Sequence, residues 1–376
     1  MSKMTWKRCC VWCLSVTMVA GLVYGAVWHW RLAPHDERDT LAASTSVAPP
    51  SKTPLPPATA SEKVSLPHDF AFHMNYRHEW WRYVANVQDR NGNHYGVQWT
   101  FIRAEQGDKP NVSAGWQNSQ LYIVQTVVTS QDKIWEAQRF ARGGIGQAGM
   151  QAQKFKLWLD NWSWQGKGDQ PLPGRLSVST DHFSFGLRHQ EQNGWIIPGD
   201  HGYQLHYERI PLASYSVLAP EIPVSGTLTL DSGVPFNVRG TAWLEKSWGD
   251  NLMEADRLGW DWFMIPLDNG NTLLVNRYRD HEQIPKISAL LLRKDGRQIT
   301  FNSHQITMRA LWPLDNVKGK RLPLRWQVVI PKEHIDLTLY ALNRQDWHTF
   351  ATSYWQGPIE VRGSHRGKGF MRLSGE

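Results

Sequence analysis

The sequence predicts an all-β protein, with two barrels or sandwiches in tandem behind an apolar N-terminal segment. Three observations carry this. From Leu66 onward, short runs of alternating apolar and polar residues follow one another almost without interruption. Turn signals separate them, among them Arg90-Asn91-Gly92-Asn93, Asp268-Asn269-Gly270 and Lys294-Asp295-Gly296. No long segment of period 3.6 intervenes, which excludes βαβ architectures.

Taken in order, Lys3, Lys7 and Arg8 precede an uncharged apolar stretch running from Cys9 to Trp30. That is about the length that crosses a bilayer as a helix, and positive charge before it directs the N-terminus to the cytoplasm. Residues 1–30 therefore read as an uncleaved anchor in a bacterial inner membrane, with the globular part in the periplasm. Cleavage near Val23 and Gly25 would instead give a secreted protein. Residues 31–65, rich in Pro, Ser, Thr and Ala, read as a spacer. Two domains follow, 66–233 and 234–376, with the boundary among residues 231–235. Strands are expected at 81–87, 94–103, 119–129, 183–188, 226–230, 238–244, 260–266, 272–278, 286–293, 324–329 and 335–340.

Composition narrows the function. The net charge of +7 is mild and spread out, with no run of Lys and Arg, so nucleic acid is not an expected partner. No phosphate-binding glycine loop and no zinc-binding spacing occurs, and the fifteen histidines show no metal-like pairing. Cys9, Cys10 and Cys13 all lie in the apolar segment, leaving the folded part without a disulfide or a thiol nucleophile.

Tryptophan is the distinguishing residue, with 21 in the chain. Glu79-Trp80-Trp81 opens one strand, and Trp243, Trp248, Trp260 and Trp262 cluster around Glu245, Lys246 and Asp261. Each indole is a large flat apolar surface with one donor, so these segments suit the wall of an apolar ligand cavity. Strand alternation puts Glu79 and Trp81 on one face and Trp80 on the other. It likewise groups Glu245 with Trp243 and Ser247, and separates Asp261 from Trp260 and Trp262. A carboxyl against indole in a cavity would have its pKa raised, making Glu79 and Glu245 the candidate acids. The plainer alternative for Glu79 is a salt bridge to Arg82 or Arg103. For Gln98 it is a bond to a buried backbone group, and for Glu245 or Asp261 a structural carboxylate.

The ordered motifs resemble those of the AttH/CrtC family, which contains secreted or anchored proteins and the carotenoid 1,2-hydratases. They are Glu79-Trp80-Trp81, Gly96-Val97-Gln98-Trp99-Thr100-Phe101-Ile102-Arg103, Arg139-Phe140-Ala141-Arg142-Gly143 and Trp158-Leu159-Asp160-Asn161-Trp162. Gly199-Asp200-His201-Gly202-Tyr203, the Val238 to Trp243 element, Gly259-Trp260-Asp261-Trp262-Phe263, Tyr354-Trp355-Gln356-Gly357 and Gly367-Lys368-Gly369-Phe370 follow. The resemblance covers residues 67 to 376. It implies two packed lipocalin-like barrels, no metal or organic cofactor, an apolar ligand of the isoprenoid or lipid kind, and a periplasmic role beside an export-type ABC transporter permease. The family's D-H-E-W, however, is Glu245-Lys246-Ser247-Trp248 here. Its Y-x-x-H-x-A-x-[TS]-D strand carries Gln125 and Ser130 in place of His and Asp.

The expectation is thus a binding protein whose ligand wall comprises Trp80, Trp81, Gln98, Arg103, Trp243, Lys246, Trp248, Asp261 and Trp262. The alternative is a hydratase-like or hydrolytic enzyme acting on a lipid or isoprenoid through Glu245 or Glu79. Tryptophan platforms with carboxylates also suit sugars, but nothing in the chain resembles a carbohydrate module.

Overall fold

The structure, a computed structural model, describes residues 55, 57–107, 112–115, 117–191, 194–207, 212–231, 233–250, 259–279 and 284–375. The expected anchor lies outside them, and among the described residues no helix is long and apolar enough to cross a membrane. Residues from Pro50 on form one compact unit, and its strands pair only with one another.

The first sheet comprises β1 (His78–Asp89), β2 (His94–Glu105), β3 (Gln120–Thr129), β4 (Ile134–Arg142), β5 (Ala148–Gln151) and β6 (Lys156–Leu159). It continues with β7 (Trp162–Lys167), β8 (Gln170–Ser179), β9 (Phe183–His189), β10 (Tyr203–Tyr207), β11 (Leu212–Leu230) and β12 (Phe236–Gly249). Its order is β4-β3-β2-β1-β12-β11-β9-β8-β7-β6-β5, antiparallel throughout, with β10 beside β11, and it curls into a nearly closed barrel. Two of the motifs meet where β4 approaches β6 and β7. There Arg139 on β4 lies 4.1 Å from the Trp162 ring and donates to Asn161 Oδ1 at 2.5 Å.

The second sheet comprises β13 (Trp260–Pro266), β14 (Thr272–Tyr278), β15 (Lys286–Leu292), β16 (Gln298–Phe301) and β17 (Thr307–Ala310). After the small hairpin β18 (Asp315–Val317) and β19 (Lys320–Leu322) come β20 (Arg325–Ile330), β21 (Ile335–Ala341), β22 (Trp347–Thr349), β23 (Ser353–Gly363) and β24 (Gly367–Ser374). The order β16-β15-β14-β13-β24-β23-β21-β20-β17 forms a half-barrel rather than the second barrel expected. The boundary expected at 233/234 falls between β11 and β12, which pair along their length in one sheet. The passage to the second sheet comes after Gly249. Strand β12 outruns its expected end at 244 because Glu245 and Lys246, which look like a strand stop, each have a partner on or beside β1.

Alternation divides β1 cleanly. Trp81, Tyr83, Ala85 and Val87 face the barrel interior with Trp99, Trp162 and Trp164. Trp80 and Val84 face the second sheet with Trp243, Trp260, Trp262, Met264 and Phe370. Both faces are buried over most of β1, including the charged Glu79 and Arg82. The sheets approach so closely that a Cβ on Gly96 would sit 2.9 Å from Pro358 Cγ. Polar links knit the contact: Gln356 Nε2 donates to Gln98 Oε1 at 2.6 Å, Gln98 Nε2 donates to the Gln356 backbone carbonyl at 3.0 Å, and Thr129 Oγ1 donates to Asp346 Oδ1 at 2.8 Å.

The end of the expected spacer is part of the fold. Ala58 N donates to Asp250 Oδ1 at 3.0 Å, Thr59 N to the Tyr215 hydroxyl at 2.8 Å, and Val64 N to His201 O at 3.0 Å. A fragment beginning at Lys63 should therefore unfold at a lower temperature than one beginning at Pro50. Each kcal/mol lost shifts the midpoint by roughly 2–4 °C or less in a chain of this size, and paired thermal melts read the difference directly.

Candidate functional site

The two faces of the β1–β12 ladder carry two separate constellations. Inside the barrel, Lys246 Nζ lies 2.7 Å from Glu79 Oε1, both side chains being fully buried. Lys246 also donates to the carbonyl oxygens of Asp69, at 2.6 Å, and Ala71. Arg103 stands 3.5 Å from Glu79 and donates to the carbonyls of His73 and Tyr76 at 2.9 and 2.7 Å and to Gln120 Oε1 at 2.8 Å. The His73 ring stacks on Trp248 at 4.1 Å, and its backbone N–H donates to Glu79 Oε2 at 2.8 Å. Burial alone would raise the Glu79 pKa, but Lys246, His73 and Arg103 outweigh it and hold the carboxylate well below its usual range. That reverses the raised value expected of a carboxyl against indole. Segment 69–76 is thus tied into the barrel by two buried cations.

The other face opens into a narrow cleft between the barrel and the half-barrel. Trp80, Leu218 and Trp243 form one wall, and Trp260, Trp262, Leu274 and Leu290 the other. Trp80 and Trp260 lie nearly parallel at 6.2 Å, and Trp260 and Tyr278 at 6.4 Å. The Arg82 guanidinium sits among Trp80, Trp260 and Trp262 at 5.0, 4.7 and 5.2 Å from the ring centres. It pairs with Glu245 at 3.3 Å across the ladder, and Ser247 Oγ donates to the same carboxylate at 3.1 Å.

At the polar end His206 joins the two sheets. Its Nε2 lies 2.7 Å from Ser214 Oγ, and its Nδ1 lies 2.7 Å from the Tyr278 hydroxyl. Desolvation, with the positive charge of Lys286 nearby, pushes His206 down to about 4. The ring is neutral at pH 7, so one nitrogen donates and the other accepts. Hydroxyl, imidazole and phenol then form one chain along which a proton can pass. Among the described residues no three His, Cys, Asp or Glu side chains come together as metal ligands would.

With this geometry in view, the family model for AttH-like proteins matches residues 57–376. The chain belongs to the AttH-like family. A crystal structure of a protein provisionally described as an AttH, from Nitrosomonas europaea, superposes with a TM-score of 0.76 at 22% identity, covering 85% of this chain and 99% of that one. Kievitone hydratase from Nectria haematococca gives 0.63 at 13% identity, covering 86% and 97%. CghA, solved with Sch210972, gives 0.51 at 11%, covering 79% and 88%. No functionally curated protein matches.

Of the residues expected in this AttH-like protein's site, Glu245, Trp80, Trp243 and Trp262 line the cleft. Gln98 faces the same interface but is sealed against Gln356. Glu79, Trp81, Arg103, Lys246 and Trp248 lie inside the barrel instead. Asp261 points into the half-barrel, fully buried and paired with Arg277 at 2.6 Å and Arg279 at 3.1 Å. The single wall expected from sequence is divided because alternation sends neighbouring residues to opposite faces. Arg82 and Trp260 were named but not placed in the wall, and Gln204, His206, Ser214, Asn276 and Tyr278 were not expected there. Trp260 and Arg82 were legible as neighbours of named residues on the same face. Nothing in sequence joins His206 to Tyr278, because they meet only when the two sheets pack.

Lys246→Met should strand a buried carboxylate and cost about 3–5 kcal/mol. Adding Glu79→Gln should recover part of it, a coupling that urea titration of the double-mutant cycle measures. Acid should also destabilise the protein. His189 is fully enclosed, and burial pushes it down to about 4. Its unfolded imidazole, near 6.5, takes up a proton the folded one refuses. His206 acts in the same sense. Stability should hold above pH 7 and fall as pH drops from 6.5 toward 4, by about 3 kcal/mol from His189 alone, read as urea midpoints across that range.

Proposed function

We propose that this AttH-like protein binds an apolar ligand in the cleft between its barrel and half-barrel. The observation that carries the reading is the facing pair of aromatic walls, Trp80 and Trp243 against Trp260 and Trp262, with polar side chains gathered at one end. Each 100 Å² of apolar ligand surface buried there contributes about 2.5 kcal/mol before ordering costs. The lipid or isoprenoid class comes from the family resemblance. So does the role as periplasmic accessory to an export-type ABC transporter. The positively flanked apolar run up to Trp30 supports an inner-membrane anchor.

A hydratase-like activity is the second reading, favoured by the Ser214–His206–Tyr278 chain and by the fold shared with kievitone hydratase. Hydration would place a proton on one alkene carbon and the hydroxide of water on the other. The neutral His206 relay suits passing such a proton better than generating it.

Lipid extraction and native mass spectrometry of the protein purified from its own cell envelope should find an apolar molecule retained. Gln204→Trp, which crowds the polar end of the cleft without entering either core, should lose it. Trp248→Ala should instead loosen the barrel and segment 69–76, whose His73 stacks on that ring. A protein that is empty and also ignores a panel of added lipids and isoprenoids would sink the binding reading. For the enzyme reading, incubating the retained molecule in D₂O should add deuterium with the wild type. None should be added with His206→Gln, which is expected to keep the ligand.

A further inference from the structure

We infer that the outer surface of the barrel binds a linear acidic polysaccharide, held across the strands by Arg175, Arg188 and Arg239. None of the three lines the cleft, so the inference stands apart from the reading of that site.

In sequence these arginines are scattered, and the chain has no basic run. The register collects them. Arg175 on β8 stands opposite Arg188 on β9, Arg188 opposite Ser225 on β11, and Ser225 opposite Arg239 on β12. Four neighbouring strands thus carry one straight row, about 14 Å from Arg175 to Arg239 at the usual strand spacing. Leu176, Leu187, Val224 and Val238, the next residues along each strand, fill the barrel. Alternation therefore turns the row outward, and all four of its residues are exposed. Beyond Arg175 it continues through Gln165 on β7 to Lys156 on β6, again without an acid.

A guanidinium stays charged at any ordinary pH, and like charges directly opposite on neighbouring strands repel. Arg175 and Arg188 are such a pair. Among the described residues no carboxylate pairs with either of them or with Arg239. Arg175 Nε donates only to a neutral group, Ser177 Oγ, at 3.1 Å. The fold thus keeps a repulsion on its surface that an anionic partner would relieve.

The form of the row narrows the partner. A single anion cannot span it, so a chain of anions is required. Beside the arginines runs a second row, Ser177, Gly186, Thr227 and Asn237, whose short polar side chains exchange hydrogen bonds with hydroxyls. Neither row carries an aromatic ring on these four strands, so nothing is offered to stack on a base or to enter a bilayer. A polymer with one carboxylate per sugar meets both rows. Its carboxylates take guanidinium forks, its hydroxyls face the second row, and successive sugars lie over successive strands.

The test titrates residues 50–376, one compact unit, with polygalacturonate and with its methyl ester, the same polymer without its charges. By calorimetry, polygalacturonate should bind at least tenfold tighter than the ester, a difference of about 1.4 kcal/mol. Added salt should weaken the acid and leave the ester unchanged. Arg175→Ser/Arg188→Ser/Arg239→Ser should lose at least tenfold in affinity for polygalacturonate. It should melt no lower than wild type, because a repulsion has been removed. Equal wild-type binding of acid and ester would overturn the inference, and needs no variant. So would a triple variant that binds undiminished, or one that melts lower and so shows the arginines to serve the fold. Phosphatidylglycerol vesicles are the third probe. If they bind through the three arginines and polygalacturonate does not, the row is a membrane contact and the inference falls.

Discussion

The antiparallel register of β1 with β12 is the constraint on which the rest depends. It sets Trp81 opposite Lys246, Arg82 opposite Glu245 and Trp80 opposite Ser247. Both faces of this ladder are buried, so each charged residue on it needs a partner on its own face. Glu79 and Lys246 meet inside the barrel, and Arg82 and Glu245 outside it. A slip of one residue would send Lys246 into the tryptophan interface and Trp243 into the barrel. Two ion pairs on opposite faces therefore specify one alignment.

From that alignment the division of labour follows. The inner pair reaches beyond the ladder, since Lys246 and Arg103 bind carbonyls of segment 69–76 and draw it across the barrel. With Phe70, Tyr76, Trp81 and Trp99 buried behind it, the barrel has become a packed core. The outer face must then accept the second sheet. It does so along Gln98–Gln356, Gln125–Tyr354 and Glu136–His348, at 2.6, 2.8 and 2.6 Å. Near Trp80 and Trp243 the sheets diverge and the cleft forms.

Sequence revealed the parts of this that have a short period. The all-β class, the hairpins and the face of each residue in β1, β12 and β13 follow from alternation, as the separation of Asp261 from Trp260 and Trp262 shows. Sequence could not say which face was inside, because on both β1 and β12 each face carries tryptophan beside charged residues. That is why Glu79 and Glu245 looked equivalent and proved to belong to different environments. Nor could it show closure. Whether β16 reaches β17 depends on the curl of a whole sheet, and the His206–Tyr278 contact joins residues on separate sheets.

The departures from the AttH/CrtC pattern acquire a physical meaning in this geometry. The position that resemblance assigns to a histidine in D-H-E-W holds Lys246, whose ammonium is fixed on Glu79 and two backbone carbonyls. That ammonium is committed to structure, since giving up its proton would weaken a hold on Glu79 that it shares with Arg103 and the His73 N–H. The position assigned to the other histidine holds Gln125, which accepts from the Tyr354 hydroxyl and fastens the two sheets together. Both substitutions exchange a titrating side chain for one committed to structure. What titratable freedom remains lies in the cleft, where His206 has a hydroxyl on each nitrogen and no carboxylate to fix its proton. On the proposed reading, recognition of the apolar ligand and any chemistry accordingly lie on the outer face of the ladder, and the inner face is left to hold the protein together.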